Sequence, residues 1–201
     1  MFVKGAIISL SLITSVGPQN TFVLRQGIGR NHLFTTAFLS SICNSISILA
    51  GVLGLGRFLT KHLFVQKILI WIGIVFLIVF ACRAFLAVFR AHAFKLQNNA
   101  KPSHKKTITQ AMLYSWANPL TLLESFVILG TISSQYTIHN SLLFGLGCIA
   151  STFAWFFFIA YGASVFSKHA SNPLTWKIVD FLTGTVCSWA AFCLIKRLLE
   201  C

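Results

Sequence analysis

The chain has 201 residues, of which 56% are hydrophobic and 9% are charged, with 16 Lys and Arg against 3 Asp and Glu. A soluble domain carries about a quarter charged residues, so this composition excludes a soluble fold and predicts an all-α integral membrane protein. The net charge of +13 would also suit a nucleic-acid-binding protein, but the basic residues fall mostly between apolar runs, as in membrane proteins. We therefore expect membrane lipids, and no nucleic acid, as partners.

Six stretches are long and apolar enough to span a bilayer as helices, which takes about 20 residues. They cover roughly residues 2–24, 34–56, 67–89, 108–131, 141–166 and 175–198. The start of the chain also resembles a signal peptide, because Lys4 precedes a short apolar core. Since Pro18 directly follows the small residues that would form a cleavage site, we predict an uncleaved first helix.

A hydrophilic segment divides the chain into two halves, and each half opens with a helix that a proline interrupts. The predicted parts are a single membrane domain, its first three-helix half, the connecting loop and its second three-helix half: residues 1–201, 1–89, 90–107 and 108–201. Because three is an odd number, a repeat of three helices would be inverted across the membrane. Paired, interrupted helices in inverted repeats mark the substrate site of many transporters.

Lys and Arg residues are somewhat more numerous on the side of the 90–107 loop than on the other side. The positive-inside rule therefore favours a cytoplasmic loop with both termini outside. A five-span arrangement with opposed termini stays open at this point.

The two interrupted helices carry the first group of candidate site residues. Pro18 and Pro119 lack an N–H and displace the carbonyl four residues earlier, which frees backbone oxygens that hydrocarbon does not satisfy. Such breaks are tolerated where they face a polar cavity, so we predict that they line a substrate site. The candidates are the helix-breaking Gly17, Pro18 and Pro119 and the neighbouring amides Gln19, Asn20 and Asn118. Alternatively, the prolines merely kink their helices and the amides join neighbouring helices.

The second predicted helix has a face of small polar residues with one amide, at spacings of three or four: Ser40, Ser41, Asn44, Ser47 and Gly51. Gly51, Gly54 and Gly56 favour close packing of another backbone and permit a homodimer. Asn44 needs a partner near the middle of the membrane, and we include it among the substrate-binding candidates.

Glu124 is the acid with apolar sequence for several residues on both sides. An intramembrane carboxylate costs a few kcal/mol on insertion scales, so it indicates a functional site. It would hold a cationic group of a substrate or carry a proton. The alternative is a structural ion pair with Arg83, which also lies well inside an apolar stretch.

The sequence offers little for enzymatic chemistry. No C-x-x-C pair and no His and Cys cluster has the spacing of metal ligands, and all six histidines fall in connections. We predict a protein that is not an enzyme and has no cofactor, no metal and no catalytic residue.

The segment GPQNTFVLRQGIGRNH, residues 17–32, resembles the lysine/arginine exporter family of bacterial inner-membrane proteins (LysE/ArgO type). The resemblance extends to three further motifs: SSICNSISILAGVLGLG, SWANPLTLLESFVILGT and FAWFFFIA. It implies a multi-pass inner-membrane protein that exports L-arginine or L-lysine, driven by the proton gradient or the membrane potential. The family usually has an acid where this chain has Asn44 and an Asp where it has Glu124.

The change at Asn44 removes a charge, which keeps two alternatives open. One is an exporter of a neutral or other amino acid. The other is a membrane assembly subunit that transports nothing and whose broken helices simply pack.

Overall fold

The computed structural model describes residues 1–14, 17–56, 58, 62–89, 103–169 and 173–199, and all regular structure in these ranges is helical. The helices are α1 (Phe2–Ile13), α2 (Pro18–Ile28), α3 (Leu33–Ala50), α4 (Leu63–Phe89), α5 (His104–Trp116), α6 (Pro119–Ser134), α7 (Ile138–Val165) and α8 (Pro173–Leu199). α3 continues through a π-helical turn, Gly51–Leu55, and α6 contains a π-helical stretch, Leu123–Leu129.

Four helical segments are long and apolar enough to cross a membrane, and they confirm four of the predicted spans: Leu33–Leu55, Phe64–Val88, Ile138–Lys168 and Leu174–Lys196. A fifth candidate span is the pair of α1 and α2, which meet at 81°. The described residues therefore form an all-helical membrane protein with four to five candidate spans.

The helices predicted over 2–24 and 108–131 are interrupted at Pro18 and Pro119, as expected, and the alternative that the prolines merely kink them is wrong. Pro18 and Pro119 each occupy the first position of a new helix, so the chain contains complete breaks rather than kinks. Proline is well suited to that position, because its missing N–H would have no partner in the first turn. Most of the predicted loop 90–107 lies outside the described residues, and its last part is helical because α5 begins at His104.

The outer surface of the helices is apolar. Several large side chains on α4, α7 and α8 are more than half exposed: Phe64, Trp71, Val75, Phe158, Val165 and Trp189. A soluble protein rarely exposes apolar surface on this scale, whereas lipid covers it at no cost. The composition therefore reflects an exterior built for a bilayer.

Two pairs of helices run parallel, and they start from opposite ends of the molecule. α1 and α7 begin together, because Lys4 near the start of α1 lies 5.3 Å from the ring of Tyr136, just before α7. Farther along, the Ser9 hydroxyl donates to the Cys148 carbonyl at 3.4 Å. α3 and α5 begin together at the other end, where the rings of His32 and His104 lie 3.6 Å apart. Farther along the same pair, the Trp116 indole N–H donates to the Cys43 carbonyl at 3.3 Å.

Two further pairs run antiparallel. α3 packs against α7, with Phe34 near the start of α3 meeting Phe157 near the end of α7 at 5.8 Å. α4 packs against α8, where Phe85 meets Phe181 at 6.1 Å. The short helices α2 and α6 lie among these long ones and carry most of the polar residues described below.

The closest approach of α3 and α6 depends on glycine. A Cβ built on Gly130 would lie 2.6 Å from the Gly56 Cα and 2.9 Å from the Gly51 carbonyl oxygen. Close packing at Gly51 and Gly56 is therefore confirmed. The same prediction is wrong for Gly54, which has open space where a side chain would extend.

Candidate functional site

The two proline-broken helices meet through a glutamine. The Gln19 amide on α2 donates to the Ser115 hydroxyl on α5 at 2.8 Å. Its carbonyl oxygen accepts from the Thr121 hydroxyl on α6 at 3.2 Å. A single side chain of the first half thus holds both arms of the broken helix of the second half.

The asparagines satisfy the broken helix ends. The Asn118 side-chain oxygen accepts from the Leu120 N–H at 3.1 Å, which caps α6, and its amide donates to the Thr121 hydroxyl at 3.0 Å. The Asn20 amide donates to the Ile13 carbonyl, the last residue of α1, at 2.6 Å. Capping hydrogen bonds of this kind stabilise a helix by about 1 kcal/mol.

Six of the eight candidate site residues line one cavity, which we call the amide cavity: Gly17, Gln19, Asn20, Asn44, Asn118 and Glu124. Its volume is about 20 Å³. A water molecule needs roughly 10–15 Å³ by the same measure, so the cavity has room for about one water. Of the other two candidates, Pro18 lines a second cavity and Pro119 is buried at the start of α6.

The chemistry of the amide cavity comes mainly from Glu124 and Asn44. Glu124 is half-buried in the π-helical stretch of α6, a geometry often found at functional sites. Asn44 is only 6% exposed, and its side-chain oxygen has no hydrogen-bond partner among the described residues. Both oxygens accept hydrogen bonds, so the pair suits the N–H groups of a cation.

The structure does not join Glu124 to Arg83. Arg83 lines the second cavity, which we call the arginine cavity and which has a volume of about 190 Å³. Its polar lining comes from α2, α4, α5 and α8: Thr21, Arg25, Arg83, Tyr114, Asp180 and Thr183. Its volume exceeds that of an engineered apolar cavity of about 150 Å³ that binds benzene.

Sequence reasoning missed the arginine cavity. Asp180 was not among the predicted site residues, and its carboxylate forms an ion pair with Arg25 of α2. The Thr21 and Thr183 hydroxyls also bond each other, at 2.9 Å. One signal was present, because Asp180 is one of 3 acids in the chain and Arg83 lies within an apolar stretch.

Comparison with known proteins supplies the family context. The sequence profile described as "LysE type translocator" matches residues 10–197. An arginine exporter protein from Pectobacterium carotovorum is 29% identical over 187 residues, covering 92% of each chain. A lysine exporter from Corynebacterium diphtheriae is 26% identical, covering 92% of this chain and 93% of its own. No solved structure matches the chain.

Proposed function

The chain belongs to the LysE type translocator family, and we propose that it exports L-arginine or L-lysine through a site built on the amide cavity. It is an amino-acid efflux transporter and a multi-pass protein of the bacterial inner membrane. The choice of substrate is supported by the relatives, which are named as arginine and lysine exporters.

The same proposal includes six membrane crossings arranged as two inverted repeats, with α1–α4 related to α5–α8. Exchanging the two halves turns the parallel pair α1/α7 into α5/α3, which is also parallel but starts from the opposite end. It turns the antiparallel pairs α3/α7 and α4/α8 into themselves. A two-fold axis in the membrane plane produces this pattern, and it places the breaks before α2 and α6 in matching positions.

The observation that carries the substrate site is the position of Glu124 beside Asn44 where the two broken helices meet. Carboxylate oxygens bind ammonium and guanidinium groups strongly, and a basic amino acid supplies one or both of these groups. The Asn44 oxygen offers a second acceptor to the same N–H donors. The replacement of an acid by this amide also makes neutral amino acids the second candidate substrates.

An amino acid is far larger than one water, so binding in the amide cavity requires α2 to move away from α5 and α6. The bonds that hold these helices together are those of Gln19 to Ser115 and to Thr121. Substrate polar groups would replace them, because a hydrogen bond lost inside the membrane must be exchanged for another.

Export would be driven by the proton gradient or the membrane potential. In the proposed orientation, the ends of α2 and α7 and the start of α5 face the cytoplasm, together with Arg30, Lys105, Lys106 and Lys168. Both termini then lie outside. The membrane potential alone opposes the exit of a cation, so it can drive export only through an ion that returns in exchange. Glu124 would carry the returning proton.

The experiment is efflux from cells that lack their own basic amino-acid exporters and are loaded with arginine- or lysine-containing dipeptides. We expect Glu124→Gln to lower the initial efflux rate at least about tenfold, because it removes a charged hydrogen-bond acceptor. Glu124→Asp, which keeps the carboxylate, should retain most of the rate. An uncoupler tests the energy source in the same assay.

Membrane abundance of each variant, measured by immunoblot, is the control for folding and insertion. Ser45→Ala is a matched variant, because Ser45 is buried next to Asn44 in the sequence but lines neither cavity. Undiminished arginine and lysine efflux by a well-inserted Glu124→Gln protein would refute the role of Glu124. Export of only neutral amino acids would favour the neutral amino-acid exporter. If nothing is exported, the result would favour the non-transporting assembly subunit.

A further inference from the structure

The arginine cavity lies on the opposite face of α2 from the amide cavity. Along this helix, Gln19 and Asn20 face the amide cavity, whereas Thr21 and Arg25 face the arginine cavity. The Thr21 hydroxyl donates to the Gly17 carbonyl at 3.0 Å, and Gly17 itself lines the amide cavity. The first turn of α2 is therefore the wall between the two cavities.

The two ends of the ion pair in the arginine cavity differ in their exposure. The Asp180 side chain is 12% exposed, whereas that of Arg25 is 43% exposed. The Arg25 guanidinium also lies 5.6 Å from the centre of the Trp176 ring. Arg25 can therefore release Asp180 and still keep its contact with this ring, whereas Asp180 stays buried and needs a cation in its place.

Arg83 is a second cation in the same cavity. Its side chain is exposed at the edge of the cavity, and it makes no hydrogen bond or ion pair with any residue that the structure describes. A guanidinium binds carboxylates in a bidentate manner, and such an anion would compensate its charge. With Arg25 displaced, the cavity presents one cation and one anion.

We propose that the arginine cavity is a second substrate site, in which Arg83 binds the α-carboxylate of a basic amino acid and Asp180 exchanges Arg25 for a cationic group of that amino acid. The inference depends on the proposed function, because it takes the same substrates. The arginine cavity has a volume of about 190 Å³, which admits a small organic molecule, whereas the amide cavity is too small for one. In the proposed orientation the site lies on the cytoplasmic side, where an exporter collects its substrate.

The test is equilibrium binding of radiolabelled L-arginine to the purified full-length protein, with competition by unlabelled L-arginine and by argininamide. Argininamide keeps the cationic side chain but lacks the carboxylate. Binding is measured in wild type and in Glu124→Gln. The second protein lacks the carboxylate of the amide cavity, so the binding that it keeps is assigned to the arginine cavity. We expect L-arginine to compete at least about tenfold better than argininamide in both backgrounds.

Arg83→Gln should remove this preference, so that the two competitors become equal, and Arg83→Lys should keep part of it. Arg30→Gln is the matched control, because Arg30 is an exposed arginine that lines neither cavity. An unchanged preference in Arg83→Gln would overturn the proposal, as would loss of all binding in Glu124→Gln. If Arg83 only binds a lipid phosphate, Arg83→Gln will still prefer L-arginine to argininamide.

Variants of the ion pair between Arg25 and Asp180 provide an independent test of the proposal. Exchange at Asp180 predicts that Asp180→Asn weakens L-arginine binding about tenfold, whereas Arg25→Gln leaves it unchanged or tighter, because Arg25 competes with the substrate. A purely structural pair predicts equal damage from both variants, and that result would contradict the exchange. If wild type neither binds nor exports any basic amino acid, the proposed function fails. If efflux is normal but the Arg83 and Asp180 variants bind L-arginine as wild type does, only this inference is overturned.

Discussion

The contact between α3 and α6 provides a sharp test of how this bundle is held together. Gly130→Ala adds a Cβ that would lie 2.6 Å from the Gly56 Cα and 2.9 Å from the Gly51 carbonyl oxygen. Carbon atoms pack best at about 3.5–4.0 Å, so the two helices must separate by roughly 1 Å. Overpacking of this kind costs about 1–3 kcal/mol, and the better helix propensity of alanine offsets up to about 1 kcal/mol.

We therefore expect Gly130→Ala to lower the midpoint of thermal unfolding in detergent. We also expect it to slow efflux, because α6 carries Glu124 and moves with Gly130. Gly162→Ala is the matched control: Gly162 is helical in α7, and its added Cβ would meet nothing within 4 Å. That variant should be neutral or more stable by about 0.5–1 kcal/mol.

A second route to the same contact is Gly56→Ala, which should cost a similar amount. Because the two glycines face each other, the double variant should not show the sum of the two effects. A Gly130→Ala protein with the stability and efflux rate of Gly162→Ala would refute the close approach of these two helices.

Two further predictions concern the amide cavity. Gln19→Leu removes two buried hydrogen bonds, but Ser115 keeps its bond to the Ala111 carbonyl and Thr121 its bond to Asn118, so unfolding should become easier by only about 1–3 kcal/mol. Thermal unfolding checks this against Gln66→Leu, which lines neither cavity, and equal stability of the two variants would argue against the Gln19 bridge. Asn44→Asp places a second carboxylate near Glu124, so the ratio of arginine to neutral amino-acid efflux should rise above that of wild type and of Asn44→Ala. An unchanged ratio in dipeptide-loaded cells would mean that Asn44 does not face the substrate.

The long apolar helices were predictable because hydropathy is a property of consecutive residues. Segments such as Phe64–Val88 follow from composition alone, since a span needs about 20 apolar residues. The breaks at Pro18 and Pro119 were also visible, but their form was not. Proline at the first position of a helix and proline within a kinked helix have the same local sequence signature, and the choice depends on whether neighbours satisfy the free backbone groups.

The partners of the polar residues could not be predicted, because they depend on which helix faces which. Lys177 is three residues before Asp180 and offered a reasonable local ion pair. The structure instead pairs Asp180 with Arg25, which is 155 residues away in the chain. Likewise, Arg83 and Glu124 were possible partners by depth alone, and they line different cavities.

The amides that surround the breaks have different structural roles. Asn118 caps α6, Asn20 holds the last carbonyl of α1, and Gln19 ties α2 to both neighbours. These side chains stabilise the proline breaks, because backbone groups that lose their helical partner in hydrocarbon require another one. Asn44 lies on an unbroken part of α3 and has no such duty, and its side-chain oxygen is without a hydrogen bond among the described residues. We therefore propose that Asn44 and Glu124, rather than the amides of the breaks, recognise the substrate's cation, because both line the amide cavity and both offer oxygen acceptors.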